Sequence, residues 1–166
     1  MPNLPEIQTI LYATDLGKNT RPVFKTALSL ATKFDADIIM LHVVEPMSSA
    51  MQAIVDTYLP EGEAEKVYKD GMKSVLSEMK NRLKDFTEDE LETPKVAAGL
   101  VREILVVSGR VSEEILKAAV KHDADIIVMG KSSRSVLGSE VAGSSTRRVT
   151  RHTKIPVLIV PNTPSH

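Results

Sequence analysis

The sequence predicts an α/β domain with a doubly wound, five-stranded parallel sheet and helices on both faces. Three observations carry that expectation. First, the stretch KFDADIIMLH, Lys33 to His42, recurs as KHDADIIVMG, Lys121 to Gly130. In each copy a basic residue closes a helix, Asp-Ala-Asp makes a turn and a continuous apolar run follows, the pattern of a strand covered on both faces. Second, three more short runs rich in β-branched residues fit the same role: IQTILYAT near the start, EILVVSG from Glu103 to Gly109, and IPVLIV from Ile155 to Val160. Third, helical patterns separate these five strands, which calls for parallel pairing and right-handed crossovers.

Taken in order, the first helix runs from Arg21 to Phe34. Phe24, Ala27, Leu28 and Ala31 recur at helical spacing, behind a candidate cap at Thr20 and with Pro22 in the first turn. A second spans Glu63 to Leu83, where Ala64, Tyr68, Met72, Val75, Met79 and Leu83 form one stripe. The third, Ser112 to His122, opens on a cap residue, with acids in its first turn and bases in its last, as the helix dipole favours. A fourth covers Ser144 to Thr153. The segment from Pro46 to Gly62 fits an extra helical turn, a lid or an assembly surface, and its Met and Ile content predicts partial cover. Glu88 to Pro94 is expected as a solvated acidic loop.

Composition narrows the function classes. A chain of 166 residues with 42% hydrophobic content supports one domain, residues 1–166, with a real core. With 21 basic and 22 acidic residues, charge gives no reason to expect a polyanionic partner along the whole length. The absence of cysteine excludes thiol catalysis, disulfides and thiolate metal sites. Neither a secretory signal nor a membrane span is evident, so a cytoplasmic location is expected.

In such sheets ligands bind beyond the carboxyl ends of the strands. The longest loop there, after Gly130, contains GKS, but a Walker loop would need glycine at position 125, where Asp125 stands. A dinucleotide fingerprint fails too, since the loop after the first strand holds one glycine, Gly17. What remains is the start of the last helix. Helix N-termini attract phosphate because their first amides lack partners and the dipole is positive there. Gly143 permits close approach, Ser144, Ser145 and Thr146 offer hydroxyls, and Lys131, Arg134, Arg147 and Arg148 raise the local potential.

This spacing resembles that of the universal stress protein family of nucleotide-binding α/β domains. ATP-binding members carry Gly, two residues, Gly, nine residues, then Gly-Ser or Gly-Thr. Here the order is Gly130, two residues, Ser133, nine residues, Gly143-Ser144. ILYATDL, MLHVVE, GRVSEEIL and KIPVLIVP are similar to the family's other segments, in order and across nearly the whole chain. The resemblance implies ATP or AMP, with magnesium, as ligand. Ala13, Thr14 and Asp15 would border the adenosine, with Asp15 near the ribose or a phosphate-bound metal, or else only closing the turn after the first strand. Val43 would present backbone to adenine, Met129 and Gly130 would line the ribose, and Gly143, Ser144 and Ser145 would hold the phosphates. Ser133 departs from the family pattern. Its side chain would either block close backbone approach or turn a hydroxyl to the phosphate, and members lacking the motif do not bind ATP. The alternative is therefore a dimeric interaction module of the same fold.

No catalytic constellation accompanies these residues. His42, His122, His152 and His166 lack metal-ligand spacing, and no GxSxG elbow supplies a nucleophile. No intrinsic metal site and no enzyme are expected, beyond slow ATP turnover or self-phosphorylation at Ser132, Ser133 or Ser135. Six Lys or Arg residues against one acid between Gly130 and Lys154 make that face basic, but no aromatic platform interleaves them, which argues against nucleic acid. Pro156 and Pro161 mark the last strand as a sheet edge, open to pairing. The resemblance implies a homodimer through that strand, and a protein partner stays unnamed.

Overall fold

The computed structural model describes residues 3–17, 19–89, 99–131 and 143–162. Five strands, β1 (Thr9–Ala13), β2 (Asp37–Val44), β3 (Val101–Ser108), β4 (Ile126–Gly130) and β5 (Val157–Val160), form one sheet in the order β3-β2-β1-β4-β5. Every pairing is parallel. The order reverses at β1, so the chain winds one way through β2 and β3 and the other through β4 and β5. This is the expected doubly wound architecture.

The helices are α1 (Arg21–Phe34), α2 (Ser49–Tyr58), α3 (Glu63–Asp89), α4 (Val111–Lys121) and α5 (Ser144–His152). Strand alternation divides the core in two. On one face Ile10, Tyr12, Ile38, Met40 and Val128 pack with Val23, Phe24 and Ala27 of α1 and Met79 of α3. On the other, Leu11, Ile39, Leu41, Ile127 and Met129 pack with Ile115 and Ala119 of α4 and Val149 of α5.

Both Asp-Ala-Asp turns form as the internal echo predicts. Asp35 and Asp123 adopt left-handed conformations, φ 53° and 51°, which a short polar side chain tolerates. Each lets the following alanine donate back into the helix, Ala36 N–H to Ala31 O and Ala124 N–H to Ala119 O, both at 2.9 Å. The second aspartate of each turn then feeds its strand into the sheet, Asp37 N–H bonding Gln8 O and Asp125 N–H bonding Thr9 O.

Three local expectations are corrected. Thr20 occupies the N-cap of α1 but its side chain makes no capping bond, because its backbone is already helical (φ −88°, ψ −20°) and does not aim the hydroxyl at the following amides. Ser112 is not a cap: α4 begins at Val111 with Arg110 as its N-cap, and Ser112 is buried in the first turn. The segment from Pro46 to Gly62 holds a full helix, α2, capped by Ser48 Oγ accepting from Met51 N–H at 3.3 Å. None of its residues is fully buried: Gln52 and Val55 are half-buried while Met47, Met51, Ile54 and Tyr58 stay exposed, so the cover is partial. The acidic stretch begins inside α3, which runs on to Asp89; residues 90–94 lie outside the described residues. Among the described residues no helix is long and apolar enough to cross a membrane.

Candidate functional site

The carboxyl ends of β1, β2 and β4 meet where the strand order reverses, the position at which open α/β sheets hold ligands. Ala13 stands in register with Leu41 on one side and Met129 on the other. These residues, with Val43 farther along β2, belong to the sheet face that α4 and α5 cover. The structure thus brings together Ala13, Val43 and the adjacent pair Met129 and Gly130, three places far apart in the chain.

Beyond Ala13 the chain makes a tight turn held from several directions. Thr14 N–H donates to Leu41 O at 2.9 Å, and its hydroxyl oxygen accepts from Leu16 N–H at 3.2 Å. His42 Nδ1 lies 2.8 Å from Thr14 O, and because a carbonyl only accepts, the ring nitrogen is the donor. Asp15, exposed, accepts from Gly17 N–H through Oδ1 at 2.8 Å, an Asx turn that lets Leu16 sit at φ 59°. Arg82 of α3 reaches Gly17 O through Nη1 at 3.1 Å while pairing with Glu78 at 2.9 Å. Asp15 therefore performs turn work, and its carboxylate still faces solvent at the strand ends. His42 and Arg82 escaped sequence reasoning because their partners are main-chain carbonyls, which no side-chain pattern reveals.

Gly130 is constrained by a neighbour that the motif does not contain. A Cβ there would stand 2.7 Å from Nδ2 of Asn162, whose side chain is buried just past β5. Gly130 O accepts from the Thr146 hydroxyl at 3.2 Å, so that hydroxyl, buried in the first turn of α5, is turned toward β4. It is not the phosphate donor that its place beside Ser145 implies.

The start of α5 is fixed to the end of β4 through Lys131. Lys131 N–H donates to Val160 O at 2.9 Å and Lys131 O accepts from Gly143 N–H at 3.0 Å. Gly143 is the N-cap, contributes no capping side chain, and accepts the first intrahelical bond from Arg147 N–H at 3.0 Å. The amides of Ser144, Ser145 and Thr146 precede that first bond, so the helix end presents them as donors. Ser144 is exposed and Ser145 half-buried, while Arg147, Arg148 and Arg151 are exposed along the helix. Ser133, Arg134 and the neighbouring serines lie outside the described residues.

A cavity of about 360 Å³ lies on the opposite sheet face, lined by Tyr12, Phe24 and Met40 at its floor and by Arg21, Arg82 and Asp85 at its rim. It shares only Thr14 with the predicted nucleotide residues. Its location does not follow from the loop motif, and Leu16 and Gly17 of the turn after β1 form part of its wall. Among the described residues no group of three or more His, Asp or Glu could hold a metal ion.

Comparison with known proteins places this geometry in context. A sequence model of the universal stress protein family matches residues 6–161. A universal stress protein of Methanocaldococcus jannaschii is 27% identical, covering 91% of this chain and 93% of that protein. One of Thermus aquaticus is 28% identical, covering 92% and 98%. The solved structure of the same Methanocaldococcus jannaschii protein superposes with a TM-score of 0.67 at 25% identity, over 97% of this chain and 100% of that one. A universal stress protein solved in complex with cAMP shares the fold at 21% identity and a TM-score of 0.61, over 96% of this chain and 100% of that one.

Proposed function

This chain belongs to the universal stress protein family, and from that premise we propose that it binds an adenine nucleotide, ATP or AMP with magnesium, and serves a regulatory or protective role in a stress response. The observation that carries this reading is the start of α5, an N-terminus capped by a glycine and tied by Lys131 to the end of β4. Phosphates set there meet the free amides of Ser144 and Ser145 and the positive end of the helix. Exposed Arg147 and Arg148 add to the local potential. The adenosine then extends across the ends of β4, β1 and β2, past Gly130, Met129 and Ala13 toward Val43. The cAMP held by a protein of the same fold is in keeping with a ligand of this class.

Calorimetric titration of ligand-stripped protein with Mg-ATP, AMP and GTP, beside Gly143→Val, tests the reading. Gly143 has φ −58° and ψ 158°, a conformation open to valine, so the substitution blocks approach without straining the backbone. Adenine-selective binding in the micromolar range, weakened at least about tenfold in the variant, supports the site. Heat signals absent for all three nucleotides refute it.

A second reading, a dimeric interaction module, draws on β5. Among the described residues that strand pairs only with β4, at the edge of the sheet, and all four of its residues are half-buried. An edge of unpaired main-chain groups invites a second copy. Sedimentation analysis of the wild type and of Ile159→Lys distinguishes a homodimer through β5 from a monomer, whatever the calorimetry gives.

A further inference from the structure

Among the described residues, helix α2 carries a line of apolar side chains that nothing covers. The helix is 10 residues long, and helices shorter than about 12–15 residues owe their stability to the packing of an apolar face. Gln52, Val55 and Leu59, half-buried, recur three and four apart and mark the side turned to the protein's own body. Met47, Met51, Ile54 and Tyr58 follow another side, at spacings of four, three and four, and are 42%, 49%, 53% and 80% exposed. Asp56 is the only charge in the helix. At about 100° per residue it stands opposite this line, and there it accepts from Gln52 Nε2 at 2.9 Å.

Three features fit this face to a second copy of the same chain. The spacing reads the same in both chain directions, so a two-fold axis between Met51 and Ile54 maps the line onto itself, as an isologous contact requires. In an antiparallel pair of α2 helices Met51 then meets Ile54 of the partner subunit, and Met47 meets Tyr58 of the partner subunit. The flanking positions, Ala50, Val55 and Thr57, carry no charge, so two copies approach without repulsion and nothing on this face selects an acidic or basic partner. The line exposes on the order of 450 Å² per copy, among the larger patches that a monomer shows. Pairing removes up to roughly 900 Å², the size of a weak, reversible contact.

We infer that α2 is a self-association surface, pairing antiparallel with α2 of a second copy in a weak two-fold dimer. The contact is separate from the edge at β5, because α2 follows β2, and β1 and β4 lie between β2 and β5 in the sheet. If β5 pairs as well, two different two-fold contacts on each chain build a tetramer or a longer assembly. Neither contact requires a nucleotide.

Sedimentation velocity of the full chain from about 10 μM to about 1 mM tests the surface. The expected result is a reversible doubling of mass with a Kd on the order of 100 μM, weakened at least about tenfold by Ile54→Asp and kept in Ile159→Lys. Ile54 is more than half exposed, so the acid removes no core contact from the monomer. Cross-linking reads the orientation cleanly, because the chain has no cysteine of its own. With Met51→Cys and Ile54→Cys chains mixed in equal amounts under mild oxidation, the mixed disulfide should exceed either symmetric one well beyond random pairing, since position 51 faces position 54 across the axis. These near-neutral substitutions also decide the matter if a charged variant misfolds. A chain that stays monomeric to about 1 mM overturns the proposal. So does a doubling that Ile54→Asp leaves intact, or disulfides formed in the proportions of random pairing.

Discussion

Asp125 and Thr9 are joined twice: Thr9 N–H donates to Asp125 Oδ2 at 2.9 Å, and Asp125 N–H donates to Thr9 O at 2.9 Å. Gln8 N–H adds a third bond to the same carboxylate oxygen at 2.8 Å. The carboxylate therefore pins the start of β1 to the start of β4, the two strands that flank the switch point. Hydrogen bonds to a charged acceptor contribute more than neutral ones, so Asp125→Ala should lower stability by about 2 kcal/mol. Asp125→Asn keeps one oxygen that can accept from both amides and should recover at least half of the loss. Urea denaturation with an unchanged m-value checks both. Equal losses in the two variants would show that the charge, and not the acceptor geometry, carries the effect.

That clamp shows which part of the fold is legible in a sequence. The two Asp-Ala-Asp turns could be read because each is local: an aspartate that tolerates φ near +50°, a helix behind it and an apolar strand ahead. The parallel, doubly wound class followed from the alternation of strands and helices, whereas the order of the strands came only with the structure. Features made by contacts between distant segments were not legible. Nothing near Gly130 announces Asn162, and nothing near Gly17 announces Arg82. Ser112 misled because its own backbone lies inside the first turn, one residue past the end, so the right cap chemistry stood at the wrong position. In the candidate site, glycines and helix start were visible as spacing. That the Thr146 hydroxyl turns to Gly130 O was not, since a hydroxyl at a helix start has two uses and only packing chooses between them.

Gly130 and Asn162 should behave as a coupled pair. A Cβ at position 130 would approach the Asn162 amide to 2.7 Å, below any tolerated contact, so Gly130→Ala forces that buried side chain to move. The expected cost is about 1–3 kcal/mol, typical of overpacking. In an Asn162→Gly background the same substitution should cost less than half as much. A double-mutant cycle by urea denaturation measures the coupling. Additive losses would mean that Gly130 is needed for its backbone and not for its neighbour.

Tyr12 gives the fold an alkaline limit. Burial beneath α1 pushes its phenol from the ordinary 10.0 up to about 12, because the phenolate is disfavoured away from water. The folded pKa is thus raised, so the corresponding stability is fully present below pH 10 and is lost as pH rises through about 12. Between pH 9 and 11.5, wild type should lose about 2 kcal/mol more than Tyr12→Phe, which has no phenol to ionise. Denaturation of both proteins at the two pH values tests this, and parallel losses would place the titration elsewhere.

Asp15 is where turn geometry and ligand chemistry can be separated. Its Oδ1 accepts from Gly17 N–H at 2.8 Å, while the carboxylate stays exposed beyond the end of β1. An amide oxygen can accept the same bond, so Asp15→Asn should keep the turn and leave Tm within about 1 °C of wild type. Asp15→Ala removes the acceptor and should cost about 1 kcal/mol. If the acid also meets the ribose or the phosphate-bound magnesium of the proposed nucleotide, Asp15→Asn should weaken Mg-ATP about tenfold while leaving stability alone. The contrast matters because alanine by itself cannot distinguish a loosened turn from a lost ligand contact. Calorimetry on the asparagine variant can, and wild-type affinity there would confine Asp15 to the turn and leave phosphate capture to the N-terminus of α5.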